Sequence, residues 1–488
     1  MKLGGGAALP REPTPPSRLR RATSPFRGGI LFATALALAT PSLAQTIAIT
    51  GGTVALGDGS EPIANGTVII RDGRIAAAGP AIAIPYGAEQ IDAHGKWVAP
   101  GMVAGFSRLG LVEVDSGVDG ADDADNSRSP FGAAIDVVPS INPKTSAIAV
   151  GRAAGVTRAI VAPVAGKSIF AGQGAVIDLG QDMDAVTRAR LFQFVELGEA
   201  GADKAGGSRS SAYALFRNAL REARELGGRG TAIAGGGGAS LPKQGDDIPY
   251  NSIADPRLTG GNAKRSDDVL LTRFDAAALV PVLRGRQLLI VHVERAADIL
   301  NVLKLRREFP ALRLALAGVS EGWLVADRIA QSGVWVIASA LNDLPASFEM
   351  LGATEQNIAR MRSAGVKVAI GMIDDSDTRY QRDQRQYAGN LVAMARLPGA
   401  PPLSWGEAFA MVTARPAQAV GMGGEIGSLA AGHRADVVIW SGDPLENSSA
   451  AEAVWIDGVR QPTDNHQTRL RDRYKDLERR NLPEAYRK

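Results

Sequence analysis

Between about residues 99 and 420, short apolar runs alternate with longer amphipathic ones, and no other feature limits the possible folds as much. Strand character recurs in GVTRAIVAPV, GAVIDL, QLLIVHVE, LRLALAG, GVWVIAS and VKVAIGM. Helical spacing of apolar residues recurs in SAYALFRNALREARELG, RAADILNVLKLRREF, SEGWLVADRIAQSG and PLSWGEAFAMVTARPAQAVG. Such alternation predicts parallel strands joined by crossover helices, and a span of this length suits an α/β fold of the distorted (β/α)8 TIM-barrel type. A chain of 488 residues with 45% hydrophobic content has apolar mass for that core and for a second unit.

The second unit is written at both ends of the barrel segment. From Thr46 the runs TIAITGGTVAL and TVIIRDGRIAAAG read as strands, the latter hinged at Arg71-Asp72-Gly73-Arg74 as a hairpin. GSLAAGHRADVVIWSGDPLE (427–446) and AVWIDGVR (453–460) read the same way. The expected organisation is therefore residues 45–98 and 421–462 as one small β-sandwich, 99–420 as the barrel, and 463–488 as a charged tail with a surface helix. Polar stretches at 115–130 and about 200–268 read as long loops on the barrel.

Residues 1–44 carry Arg18, Arg20, Arg21 and Arg27 with no acid after Glu12, then GILFATALALA, then Ser42-Leu43-Ala44. This is the pattern of a signal peptide cut before Gln45, and the apolar run is shorter than the roughly 20 residues that span a bilayer. Arg20-Arg21 is compatible with twin-arginine export. The expected location is the periplasm, with no stable membrane span after cleavage. The absence of cysteine leaves only His, Asp, Glu or a modified Lys to hold a metal. A net charge of +3 does not mark a nucleic-acid-binding surface.

The stretches IDAHGKWVAPGMV and TARPAQAVGMGGEIGSLAAGHRADVVIWSGDPLE, with the GGTVALGDGS hairpin, resemble the amidohydrolase superfamily, specifically its imidazolonepropionase-like and dipeptidase-like members. The resemblance covers most of the mature chain. It implies hydrolysis of a carbon–nitrogen bond at a metal centre whose ligands begin with a His-x-His pair on the first barrel strand. Phe106 and Arg108 stand at those two positions. Neither has a lone pair to give, and a guanidinium 4 Å from a unit positive charge is repelled by about 4 kcal/mol at an effective dielectric of 20. The fifth-strand histidine matches His292. The sixth-strand histidine falls at Ala317-Gly318, and the eighth-strand aspartate matches Asp374 or Asp375. A bridging lysine is not identified, Lys167 lying in loop-like sequence. His94, His433 and His466 read as surface or turn residues.

Three readings of the site follow. His292, Glu294 and Asp374 or Asp375 form a rebuilt site for one divalent metal, zinc. Alternatively Arg108, His292, Glu294 and Asp374 line a metal-free pocket, with Arg108 binding an anion or polarising a carbonyl and His292 acting as acid or base. In the third, His292 is a hydrogen-bonded relic and Glu294 pairs with Arg295 or Arg108, filling the metal cavity. Gly172-Gln173-Gly174 is expected to face the barrel mouth. The functional expectation is an exported hydrolase of a small amide, cyclic amide or peptide-like substrate with a degenerate metal site. Its alternative is an inactive relative that binds a small ligand or an envelope partner.

Overall fold

The computed structural model describes residues 46–113, 122–233, 269–373 and 381–475. One eight-stranded sheet gathers strands from both ends of this span. These are β1 (Thr46–Val54), β2 (Ile63–Arg71), β3 (Arg74–Gly79), β4 (Glu89–Asp92) and β5 (Trp97–Pro100) from one end. From the other come β14 (Val437–Trp440), β15 (Ala451–Ile456) and β16 (Val459–Gln461). The order is β16-β15-β14-β5-β1-β2-β3, with β4 also on β1, so the join between the two ends is the antiparallel β5–β14 pair. Period-two alternation sorts the side chains. Val437, Ile439 and Trp455 enter the sheet's own core with Ile47, Ile49 and Ile70, while Val438, Trp440, Val454 and Ile456 join the barrel's outer layer.

The second sheet is the barrel wall, β6 (Met102–Ser107), β7 (Val156–Val161), β8 (Phe170–Asp178), β9 (Val186–Glu196), β10 (Leu288–Val293), β11 (Arg313–Gly318), β12 (Trp335–Ala338) and β13 (Lys367–Ile370). They are hydrogen-bonded in chain order. At the seam between β13 and β6 a Cβ on Gly105 would lie 2.1 Å from the Ile370 carbonyl oxygen, so glycine permits the approach that nearly closes the barrel. Val103, Phe106, Phe192, Phe194, Leu288, Ile290, Ala315, Ala317 and Ile337 fill the interior. Leu289, Val291 and Val293 face the helical layer, which explains the unbroken apolar run of β10. The helix Arg209–Ile233 packs onto that layer through Ala212, Phe216, Ala219, Leu220 and Ala223 at helical spacing.

The wall departs from all-parallel order at β8, which is antiparallel to both neighbours, whereas β6–β7 and β9 to β13 are parallel. The chain segments joining β7 to β8 and β8 to β9 are shorter than the dozen or so residues a parallel crossover needs. They can only make hairpins. The segment VTRARLFQFVE, β9, was not among the expected strands. The expected helix over PLSWGEAFAMVTARPAQAVG divides into Trp405–Ala410, started by a Ser404–Glu407 capping box, and Ala414–Ala419. In the tail a helix spans His466–Tyr474. The leader, residues 115–121 of the 115–130 loop and the Gly-rich part of the 200–268 loop lie outside the described residues. No helix among the described residues is long and apolar enough to cross a membrane.

Candidate active site

The inward-facing residues of adjoining strands lead upward to the site. On β9 Phe192 and Phe194 are followed, on the same face, by Glu196; on β10 Leu288 and Ile290 are followed by His292, then by Glu294 just beyond the strand. The ladder register sets His292 opposite Glu196 on one side and Ala317 on the other. All of this lies at the C-terminal ends of the strands, where barrels place their chemistry. His292 donates from Nδ1 to Glu196 Oε1 (2.6 Å) and from Nε2 to Glu294 Oε1 (2.8 Å). Glu294 also accepts the Ser320 backbone N–H at Oε2 (2.7 Å). Burial opposes the charged imidazole, but Glu196 and Glu294 outweigh it and raise its pKa well above 6.5. The ring is thus a clamped imidazolium at neutral pH.

Gly318 makes this clamp possible. Its φ is +83°, and a Cβ there would lie 2.2 Å from Glu294 Oε1 and 2.8 Å from His292 Cδ2. The Glu294 carboxylate occupies the space of the missing side chain. Gly318→Ala is expected to cost about 1–3 kcal/mol, from a left-handed non-glycine residue plus displacement of the carboxylate. It should also lower the His292 pKa, read by NMR titration of the ring; an unchanged titration would separate Gly318 from the clamp.

Phe106 and Arg108 follow from a β-bulge between Ala104 and Ser107. Phe106 turns into the barrel, 1% exposed, with its ring centroid 5.1 Å from that of Phe194. The Arg108 guanidinium lies 4.8 Å from the Phe106 centroid and 5.7 Å from that of Phe194, and donates to the carbonyls of Ala162 and Pro163 at the end of β7. An aromatic plug and a cation therefore occupy the first-strand corner. Both nitrogens of His292 are committed to carboxylates, so neither offers a lone pair. Among the described residues no group of three or more His, Cys, Asp or Glu side chains could hold a metal ion. Of the expected zinc ligands, His292 and Glu294 are hydrogen-bonded to each other.

Asp374 and Asp375 lie outside the described residues. Glu294 bonds His292 while Arg295 pairs with Asp298 (3.0 Å), so the Glu294–Arg295 pair offered by the third reading does not form. The reason is side-chain direction, since His292 and Glu294 share a face and Arg295 turns outward to cover the next helix. Gly172-Gln173-Gly174 is also corrected. Gln173 accepts from Gln287 (3.2 Å), just before the start of β10, and the two glycines make room for the Ile135 carbonyl and the Phe192 ring. Lys167 is exposed. His94 bonds Asp92 and His433 bonds Ser428 (3.1 Å), while exposed His466 opens the last helix, so each stays apart from the site.

Two carboxylates escaped the sequence reading. Glu196 was legible in principle, because Phe192, Phe194 and Glu196 alternate as a strand does. Glu349 was not, being brought in from a loop after β12. Its Oε2 accepts the Glu199 backbone N–H (2.8 Å) and an Arg209 N–H (3.2 Å), and burial raises its pKa, against the pull of Glu199 N–H, Arg209 and His292. Arg209 further pairs with Asp298 (3.0 Å), tying the segments after β9, β10 and β12 together.

The sequence profile of the amidohydrolase family matches residues 307–460. The imidazolonepropionase of Acidiphilium cryptum (strain JF-5) is 26% identical over 398 residues, 79% of this chain and 89% of that protein. Amidohydrolase tasK of Hapsidospora irregularis is 46% identical over 59 residues, which is 12% of this chain and only 6% of that longer protein. Among solved structures, an amidohydrolase from Thermotoga maritima MSB8 shares the fold, with a TM-score of 0.68, 22% identity, and coverage of 85% of this chain and 99% of that one.

Proposed function

Because this chain belongs to the amidohydrolase superfamily, we propose that it is an exported hydrolase of a carbon–nitrogen bond in a small amide or peptide-like substrate. Its metal site is degenerate, and its chemistry rests on the Glu196–His292–Glu294 clamp. The observation that carries this reading is the double carboxylate hold on His292 at the C-terminal rim of the barrel. No step is routed through a metal, since Phe106 and Arg108 stand in the first-strand corner and His292 has no free nitrogen. Water adds to the amide carbonyl as its proton passes to Glu196, whose side chain is 15% exposed and is oriented by the imidazolium. Positive charge on His292 and Arg108 stabilises the developing oxyanion. As the carbon–nitrogen bond breaks, His292 gives its Nε2 proton to the departing nitrogen and keeps its Nδ1 proton towards Glu196; with product gone, Glu196 releases to solvent the proton it took from water, and solvent reprotonates Nε2.

A second reading, a catalytically silent ligand-binding relative in the envelope, is favoured by one observation. His292 is 18% exposed and both of its N–H groups already have acceptors. The two readings separate on mature protein beginning at Gln45, recovered from the periplasmic fraction, assayed for metal content and for hydrolysis of a broad amide and dipeptide panel before and after chelation. The expected result is turnover that survives chelation, with less than stoichiometric zinc. Stoichiometric zinc together with chelator-sensitive turnover sinks the degenerate-site reading; no turnover on any substrate leaves the ligand-binding one.

A further inference from the structure

The loop after β12 combines two opposite characters. Leu344, Phe348 and Leu351 are 80%, 83% and 65% exposed, and Leu324 in the turn after β11 is 50% exposed, yet Glu349 between them is buried. The loop is fastened. Besides the bonds of Glu349 to Glu199 N–H and Arg209, Gly352 N–H donates to Glu321 Oε1 (3.0 Å), and the Trp323 indole N–H donates to the Gly352 carbonyl (2.8 Å). Glu321 also accepts the Ala296 N–H (2.9 Å). The loop therefore reaches from the end of β12 to the segment after β9, across the ends of β10 and β11 that carry His292 and Gly318. The Glu349 carboxylate is close enough for His292 to act on its ionisation.

Scattered exposed apolar residues need no explanation, but several on one fixed loop mark a binding surface. We propose that this loop is the specificity element of the barrel site and seats a bulky apolar group, aliphatic or aromatic, carried by the substrate next to the scissile bond. The occupant is the substrate because the loop is continuous with the rim of the clamp and held by a carboxylate shared with its charge network. This inference rests on the hydrolase reading, and it predicts a preference among amides that the clamp alone does not.

The test compares N-acetyl and N-phenylacetyl derivatives of one amine on the full mature chain, wild type and Phe348→Ser/Leu351→Ser. Wild type is expected to favour the phenylacetyl compound, and the variant to lose ~10- to 100-fold in kcat/KM on it while the acetyl compound changes by no more than about twofold. Equal loss on both, or no preference in wild type, overturns the proposal. If neither amide is cleaved, calorimetry with the ketone isostere of the phenylacetyl compound decides. Binding weakened about tenfold in the variant upholds the loop's role while the hydrolase reading fails, and no binding to wild type overturns it. Sedimentation guards the occupant: a wild-type dimer that becomes monomeric in the variant assigns the surface to a second copy and overturns the proposal. Leu344→Ser supplies the same comparison should the double variant misfold.

Discussion

Arg158→Met is expected to lower the unfolding free energy by about 3–5 kcal/mol, the cost of breaking a buried ion pair by removing one partner. Arg158 lies on β7 with its side chain wholly buried. It meets Asp436 through Nε (2.7 Å) and one terminal nitrogen (2.9 Å), Asp457 at 2.8 Å and Asp178 at 3.6 Å, and donates to the Thr187 hydroxyl (2.7 Å). Asp436 immediately precedes β14 and Asp457 lies in the turn between β15 and β16, so one guanidinium joins the barrel wall to the sheet built from the chain ends. Methionine would fill the volume and leave the carboxylates facing one another, with Asp436 almost fully buried. Chemical denaturation should show a lower midpoint at unchanged slope, and adding Asp436→Asn should recover part of the loss. A single variant within about 1 kcal/mol of wild type would mean that water replaces the guanidinium. The cluster also carries a pH signature. Burial pushes Asp178 up to about 6, with Arg158 pulling against it. A folded pKa above the unfolded value gives stability that is complete below about pH 4 and is lost as pH rises through about 6. Without Arg158 that loss should extend to higher pH.

What the sequence disclosed and what it withheld differ in physical kind. Short unbroken apolar runs such as β10 and β14 mark strands buried on both faces, so the barrel, the sheet from both chain ends and the position of His292 were legible. The vacancy at Ala317-Gly318 was legible as a missing ligand but not as a made space. That requires knowing that Glu294, one strand away, fills the volume a Cβ would take. Glu196 was obscured because β8 and β9 form hairpins, and a reader expecting crossovers looks for helices there. Glu349 and Arg209 meet through three loops, and no local pattern encodes a contact between residues 140 positions apart. The expected pairing of Glu294 with Arg295 rested on sequence adjacency, which strand geometry makes a poor guide because neighbours point to opposite faces.

His292→Gln should reduce turnover by ~10²- to 10⁴-fold, the range for removing a general acid–base group, with a smaller change in KM. Glutamine keeps two polar ends of similar reach, so the fold should persist, but it cannot carry charge or pass a proton. Glu196→Gln should act by a second route. It removes the base and one of the two carboxylates that hold the ring charged, so the His292 pKa falls toward 6.5 and the pH–rate profile moves to lower pH. A residue with only a packing role would not move that profile. The same charge couples to stability with a definite sign. The folded pKa of His292 lies well above its ordinary 6.5, so the clamp's contribution is complete below about pH 6.5 and fades as pH rises through the folded value. Melting temperatures of wild type and His292→Gln should therefore differ most at about pH 6.5 and just below, and converge in alkali. Turnover within about threefold of wild type, together with parallel melting profiles across pH, would reduce the clamp to an internal ion pair that merely fills the corner where a metal would sit.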